Sequence, residues 1–289
     1  MPPEIFRMKN KLSSSINSHS FPKIFFLFPF FLRLYHKAVY FTTLRNWYCK
    51  SAINKALPLN NTKFSLLDAG CGAGDYLIPL AKKFPNSILT GIDHAKSNID
   101  VSRNYAEKKR ITNCLFINAD LERVNLNTKF DVVVCITVLQ YIENDFDLLV
   151  KFNSLLTPGG KLLLYSPVNY ISFFSFYKKL QFNAKAANYD QIHGIKRRYT
   201  EKEICEKIIQ AGFNISSKKF SYGTFGKIAF EVHSVFLSLI QSISVLLVPL
   251  VAVVYFLSVF PAVLLLNIID YLMENVTGNG IFITAIKEK

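Results

Sequence analysis

The residues best placed to do chemistry are a glycine-rich loop and three strand-end acids. Gly70, Gly72 and Gly74 alternate in "LLDAGCGAGDY", directly after the apolar run that ends in Asp68. Without Cβ atoms such a backbone turns sharply and lies against a ligand, and a helix beginning just after it offers unpaired N–H groups. The spacing is G-x-G-x-G. The dinucleotide fingerprint is G-x-G-x-x-G, and Asp75 stands where its third glycine belongs, which argues against a nicotinamide or flavin enzyme. Asp93 closes a second apolar run, "SILTGID", with His94 beside it. Asp120 closes a third, "CLFINAD", followed by Leu121. Further on, "HGIKRRYT" places His193 in a basic, aromatic stretch. Imidazole is the side chain best matched to taking a proton near neutrality.

These positions require a scaffold of alternating strands and helices. "KFSLLDAG", "SILTGIDH", "CLFINAD", "FDVVVCITVL" and "KLLLYSPV" read as buried strands. Between them "DYLIPLAKKF", stopped by Pro85, "KSNIDVSRNYAEKKR" and "DFDLLVKFNSLL", closed by the turn "TPGG", read as helices. The short connections predict an α/β, doubly wound parallel sheet, which binds ligands at the carboxyl ends of its strands. Next comes "YTEKEICEKIIQAGF", a helix with Thr200 and Glu203 as a capping box and Gly212 as its stop. "NISSKKFSYG" is a candidate sixth strand and "GIFITAIK" a terminal one.

At this point the motifs resemble, in order, those of class I S-adenosylmethionine-dependent methyltransferases, across roughly residues 60–220 with 280–287 completing the sheet. The resemblance implies a Rossmann-like seven-stranded sheet, methyl transfer, and S-adenosyl-L-methionine as cofactor. It implies that Asp68 lies near the methionine part and that the loop of Gly70, Cys71, Gly72 and Gly74 wraps the cofactor. Asp93, with His94 beside it, would accept from the ribose hydroxyls. Asp120 would accept from the adenine amino group, with Leu121 and Ile136 contributing contacts. The branch it most resembles is the type-11-like enzymes, including those of ubiquinone and menaquinone biosynthesis. In them "H-x-x-R-x-Y/F-T" often precedes the helix ending in "AGF", as "HGIKRRYTEKEICEKIIQAGF" does here. That branch often carries His where this chain has Tyr141. His193, Tyr165 and Tyr141 are the candidates for a base or an acceptor contact. The acceptor atom is left open, because the transfer depends chiefly on orientation.

Charge is unevenly spread in the 289 residues. Residues 1–63 hold ten Lys/Arg and one acid, a net +9; residues 64–167 balance; residues 168–289 carry a net +5. Five scattered cysteines, with no CxxC pair, fit a reduced compartment and no zinc or disulfide framework. The run "IFFLFPFFL" is too short to span a bilayer. Val235 to Leu272 is a largely apolar run of 38 residues, with Asp270 its one formal charge. Because the terminal strand must rejoin the sheet, a single crossing is excluded, which leaves a re-entrant or monotopic helical hairpin, two short crossings, or helices folded over the domain. Pro249 and Pro261 are expected to break the run into shorter pieces lying in the membrane interface. The expected organisation is a basic aromatic arm (1–59), a catalytic domain (60–222 and 277–289, with 168–199 as a substrate lid) and an apolar helical insertion (223–276). The expected partners are a hydrophobic small molecule (a lipid, prenylated ring or pigment precursor) and the cytoplasmic face of a membrane, held peripherally or monotopically, the chain being otherwise cytoplasmic, with no nucleic acid and no metal. Two alternatives stay open: a catalytically silent cofactor-binding scaffold at a membrane, and an RNA methyltransferase using the basic arm. The latter is disfavoured by "CITVL" after the fourth strand, where amino-group DNA methyltransferases show "[DNS]PP[YF]".

Overall fold

The computed structural model describes residues 43–57, 63–175, 177, 194–242 and 248–288. They divide into two compact units. The larger takes the described residues of 48–170, 184–220 and 279–289; the smaller takes those of 1–47, 171–183 and 221–278. The arm at 21–42, His193 and most of the expected lid lie outside the described residues.

The larger unit is built on seven strands: β1 (Ser65–Ala69), β2 (Ile88–Asp93), β3 (Cys114–Asn118), β4 (Phe130–Ile136), β5 (Leu156–Pro167), β6 (Phe213–Ser221) and β7 (Gly280–Lys287). Their order is β3-β2-β1-β4-β5-β7-β6. β1 to β5 pair in parallel, and β7 runs antiparallel to β5. The order reverses between β1 and β4, which opens a crevice at their carboxyl ends.

The helices in chain order are α1 (Leu44–Ala56), α2 (Leu77–Lys83), α3 (Lys96–Lys108), α4 (Asp145–Leu155) and α5 (Glu201–Gln210). Side chains alternate across β4 as a strand covered on both faces demands. Val133 and Cys135 pack with Phe152 of α4 and Ile204 and Ile208 of α5. Val132, Val134 and Ile136 join Ile53 of α1, Leu77 of α2 and Ile99 of α3. The five cysteines are free, three of them buried. Burial pushes the Cys135 thiol up to about 12, so it behaves as an apolar side chain.

One expected boundary moves. "TPGG" does not separate helix from strand, because β5 begins at Leu156 directly after α4. Phe130 pairs with Leu156 and Val132 with Lys161, so residues 157–160 bulge out of the ladder, with Gly159 at φ +75°.

In the smaller unit α6 (Thr224–Ser242) packs against a second helical stretch. That stretch runs unbroken from Val248 to Leu272 as α7 (Val248–Val254), a π-helical turn (Tyr255–Val259) and α8 (Phe260–Leu272). The expected break at Pro261 is therefore corrected. The π turn lies just before the proline and loosens the hydrogen-bond ladder where its missing N–H would otherwise leave a gap. Asp270 accepts from the Gly226 N–H at 2.9 Å. His233 Nδ1 and Tyr255 Oη lie 2.6 Å apart across the hairpin. Glu231, fully buried, accepts from Ser172 Oγ and from the N–H groups of Phe173 and Phe174 at 2.7–2.9 Å.

Candidate active site

At the switch point the turn after β1 folds back on β2. Gly70 and Cys71 both donate their N–H to the Ile92 carbonyl, at 2.8 and 2.9 Å. Gly70 sits at φ +82°, and a Cβ there would lie 2.2 Å from Val138 Cγ2. Both the conformation and the space therefore demand glycine. Gly72 donates its N–H to Asp93 Oδ2 at 2.9 Å, and Ala95 N–H donates to Asp93 Oδ1 at 2.8 Å. These bonds hold the Asp93 carboxylate at the strand end facing the crevice.

A cleft of ≈ 590 Å³ opens there, a size that suits a cofactor. It gathers Gly70, Asp93, His94, Asp120, Leu121, Ile136 and Tyr141, all chosen from sequence. His94 is exposed at its edge, its Nδ1 3.8 Å from Asp93 Oδ1. Asp120 is turned back on its own loop, accepting from the Glu122 N–H at 2.9 Å and pairing with Arg123 at 3.6 Å. Lys151 of α4 holds that loop by donating to the carbonyls of Leu121 and Val124.

Gly72, Gly74 and Asp68 are not in the cleft lining. Cys71 is buried, and its Sγ points into the core, where it would lie 2.8 Å from a Cβ on Gly91. Only its backbone is available to a ligand. Tyr165 is 3% exposed and packs in the apolar cluster with Ile136 and Phe282. Of the three tyrosine and histidine candidates, Tyr141 is the one whose described side chain lines the cleft.

Asp68 is 2% exposed, and its Oδ2 has no hydrogen-bond partner among the described residues. Burial first, then the charges of Asp93 and Asp75, raise its carboxyl to about 7. A buried acceptor without a donor is costly, and it suits a cationic ligand group that would supply both charge and protons.

The cleft also uses residues that sequence reasoning did not pick out. Thr137 lines it at φ +57°, a left-handed conformation that a β-branched residue rarely adopts. Strain of this kind gathers at functional sites, but no local sequence signal announces it. Val138 and Glu122 are also in the wall.

The stretch after His193 forms part of the same wall through Gly194. It is fastened to the loop after β4. Lys196 N–H donates to the Gln140 carbonyl at 2.8 Å, and its ammonium pairs with Glu143 at 2.8 Å. Arg197 reaches Asp145 at 2.7 Å. Asp145, 2% exposed, also accepts from Tyr199 Oη at 2.7 Å and from Lys207 Nζ at 2.9 Å. Burial works to raise its carboxyl; the bonds from Tyr199 and Lys207 and the charges of Lys207 and Arg197 outweigh that and hold it below the usual range.

A glycine turn, a strand-end carboxylate facing the crevice and a buried acceptor without a donor fit an adenosyl cofactor. Residues 60–222, more than half the chain, match a family model described as a methyltransferase domain. The chain belongs to that family. It is a class I methyltransferase that depends on S-adenosylmethionine. A ubiquinone biosynthesis O-methyltransferase of Coxiella burnetii is 33% identical over 108 residues, 36% of this chain and 43% of that protein. The match thus spans less than half the length of this curated relative. Phosphoethanolamine N-methyltransferase 2 of Haemonchus contortus, solved with S-adenosyl-L-methionine, is 18% identical with a TM-score of 0.58. The match covers 83% of this chain and 52% of that one. Magnesium protoporphyrin IX methyltransferase of Synechocystis PCC 6803, solved with bound SAH, is 15% identical with a TM-score of 0.53, covering 87% and 86%. At these identities the two structures establish the shared methyltransferase fold.

Proposed function

We propose that this methyltransferase acts on a hydrophobic small-molecule acceptor at a membrane surface. The observation that carries the reading is the apolar helix Val248–Leu272. It presents Leu250, Leu257 and Leu265 at 64%, 77% and 59% exposure on a chain whose catalytic unit matches a ubiquinone-biosynthesis enzyme. A contiguous apolar surface of this kind marks a membrane or partner site.

When bound, S-adenosylmethionine supplies a methyl group already activated on a sulfonium. In our reading the chain holds and orients the reactants. Asp68 takes the ammonium of the methionine part, Asp93 the ribose hydroxyls and Asp120 the adenine amino group. Leu121 and Ile136 flank the ring, and the backbone of Gly70–Gly74 closes over it. Tyr141 and the Gly194 stretch, with His193 next to it in sequence, face the acceptor. Rate then comes chiefly from orientation, with Tyr141 in the cleft wall, or His193 outside the described residues, as the candidate base where the acceptor loses a proton.

A label-transfer experiment tests the reading. Protein in mild detergent is given methyl-labelled S-adenosylmethionine and a cell extract split into organic and aqueous phases. Label in the organic phase is the expected result. Label confined to the aqueous phase overturns the hydrophobic acceptor. Bound cofactor with no transfer in either phase turns the reading toward a silent scaffold.

A further inference from the structure

The helix Val248–Leu272 has two different faces. Tyr255, Val263, Asn267 and Asp270 are buried. Leu250, Val254, Leu257, Leu265, Ile268 and Leu272 are exposed, at 38–77%. With exposed Pro261 they recur every three or four residues, which sets them on one side of the helix. No Asp, Glu, Lys or Arg stands between Val248 and Ile269. Ser258, exposed on the same stretch, returns its hydroxyl to the Val254 carbonyl at 2.7 Å and so leaves no donor unmet.

We propose that the hairpin of α6 and Val248–Leu272 enters the bilayer steeply and returns on the side it left, with this open face against acyl chains. The proposal rests on the membrane reading above and adds its geometry. A helix lying flat in the interface needs a cationic polar face beside its apolar one. This helix has none, since its other face is buried. From Leu250 to Leu272 the axis is roughly 30 Å long at about 1.5 Å per residue, close to the ~30 Å hydrocarbon core. An acid and an aromatic pair sit at one end. Asp270 caps the start of α6 there. Trp47 meets Tyr271 edge to face with centroids 5.9 Å apart, an amphipathic pair suited to headgroup depth. The +9 of residues 1–63 favours an anionic headgroup layer. Because the chain enters the hairpin from β6 and leaves it into β7, neighbours in one sheet, both ends stay on the same side.

Trp47 is the sole tryptophan, so its fluorescence reports depth directly. Full-length protein is mixed with phosphatidylcholine vesicles containing phosphatidylglycerol, with bromine placed either near the headgroup or near the chain ends. Trp47 should be quenched more by the shallow bromines. In a Trp47→Phe background, Leu257→Trp and Leu265→Trp, each seven residues from one end of the Leu250–Leu272 span, should both be quenched more by the deep bromines. Leu257→Glu should weaken vesicle co-sedimentation more than about tenfold while leaving cofactor affinity unchanged. Equal, shallow quenching of Leu257→Trp and Leu265→Trp overturns steep insertion and leaves surface binding standing. Absence of co-sedimentation overturns the membrane reading and the insertion with it. A dimer in solution that Leu257→Glu dissociates assigns the face to a second copy and overturns the proposal.

Discussion

At the residue scale the two informative acids differ in what surrounds them. Asp93 is satisfied on one side by the N–H groups of Gly72 and Ala95 and faces the cleft. Asp93→Ala should weaken S-adenosylhomocysteine binding by roughly tenfold to a hundredfold, the range for bonds to a charged group. Titration calorimetry checks this, and an unchanged affinity removes Asp93 from the site. Asp68 is buried, with an acceptor left open and its carboxyl raised to about 7. A raised carboxyl contributes its stability below its ordinary value of 3.8 and loses it as pH rises through the folded value. Cofactor-free protein should therefore lose stability between about pH 4 and 7 relative to Asp68→Asn. An ammonium bound beside Asp68 favours the ionised form, so affinity for S-adenosylhomocysteine should rise between about pH 5.5 and 7.5. Asp68→Asn should flatten that rise. A slope that persists in the variant assigns it to another group.

At the element scale, the motif ending in Tyr199 is a fastening between two segments. Arg197, Tyr199 and Lys207 converge on Asp145, at the first turn of α4, and bring Gly194 beside Tyr141 in the cleft wall. Removing one partner from a buried ionic cluster leaves the others uncompensated. Asp145→Ala should cost about 3 kcal/mol in urea unfolding, whereas Glu143→Ala, which loses a largely exposed pair with Lys196, should cost far less. Equal losses would mean that Asp145 does not anchor the wall. Because the Asp145 carboxyl is held below its ordinary 3.8, its contribution is present above that value and is lost as pH falls further.

At the scale of the whole molecule, the hairpin is an insertion between two neighbouring strands. β6 ends at Ser221 and β7 begins at Gly280, and the two are adjacent in the sheet. Replacing residues 224–275 with a short flexible loop should leave a protein that binds S-adenosylhomocysteine with its original affinity and lacks the vesicle binding proposed for the intact chain. Loss of cofactor binding in a folded protein would show that the hairpin also shapes the catalytic unit. The methyltransferase core balances eleven acids with eleven bases over residues 64–167, while the excess positive charge lies outside it. In the proposed reading, chemistry and surface attachment are carried by different parts of the chain.

Much of this was determined by the sequence alone, because the relevant physics is local. Strand and helix periods, the glycine loop after β1, the acids closing β2 and β3, and the Thr200 cap, which accepts from Glu203 N–H at 3.1 Å, each depend on residues close together in the chain. Tertiary structure decided the rest, because the rest depends on segments that meet only after folding. Val138 fills the space that makes Gly70 obligatory, 68 positions away in sequence. Thr137 is held left-handed at the crevice, its N–H bound to the Tyr165 carbonyl at 2.8 Å. Asp145 acquires partners 52 to 62 residues away. Pro261 sits within an unbroken helix because a π turn precedes it. Propensity and pattern describe a segment against water; which groups end buried, strained or without a partner depends on what the folded chain packs against them.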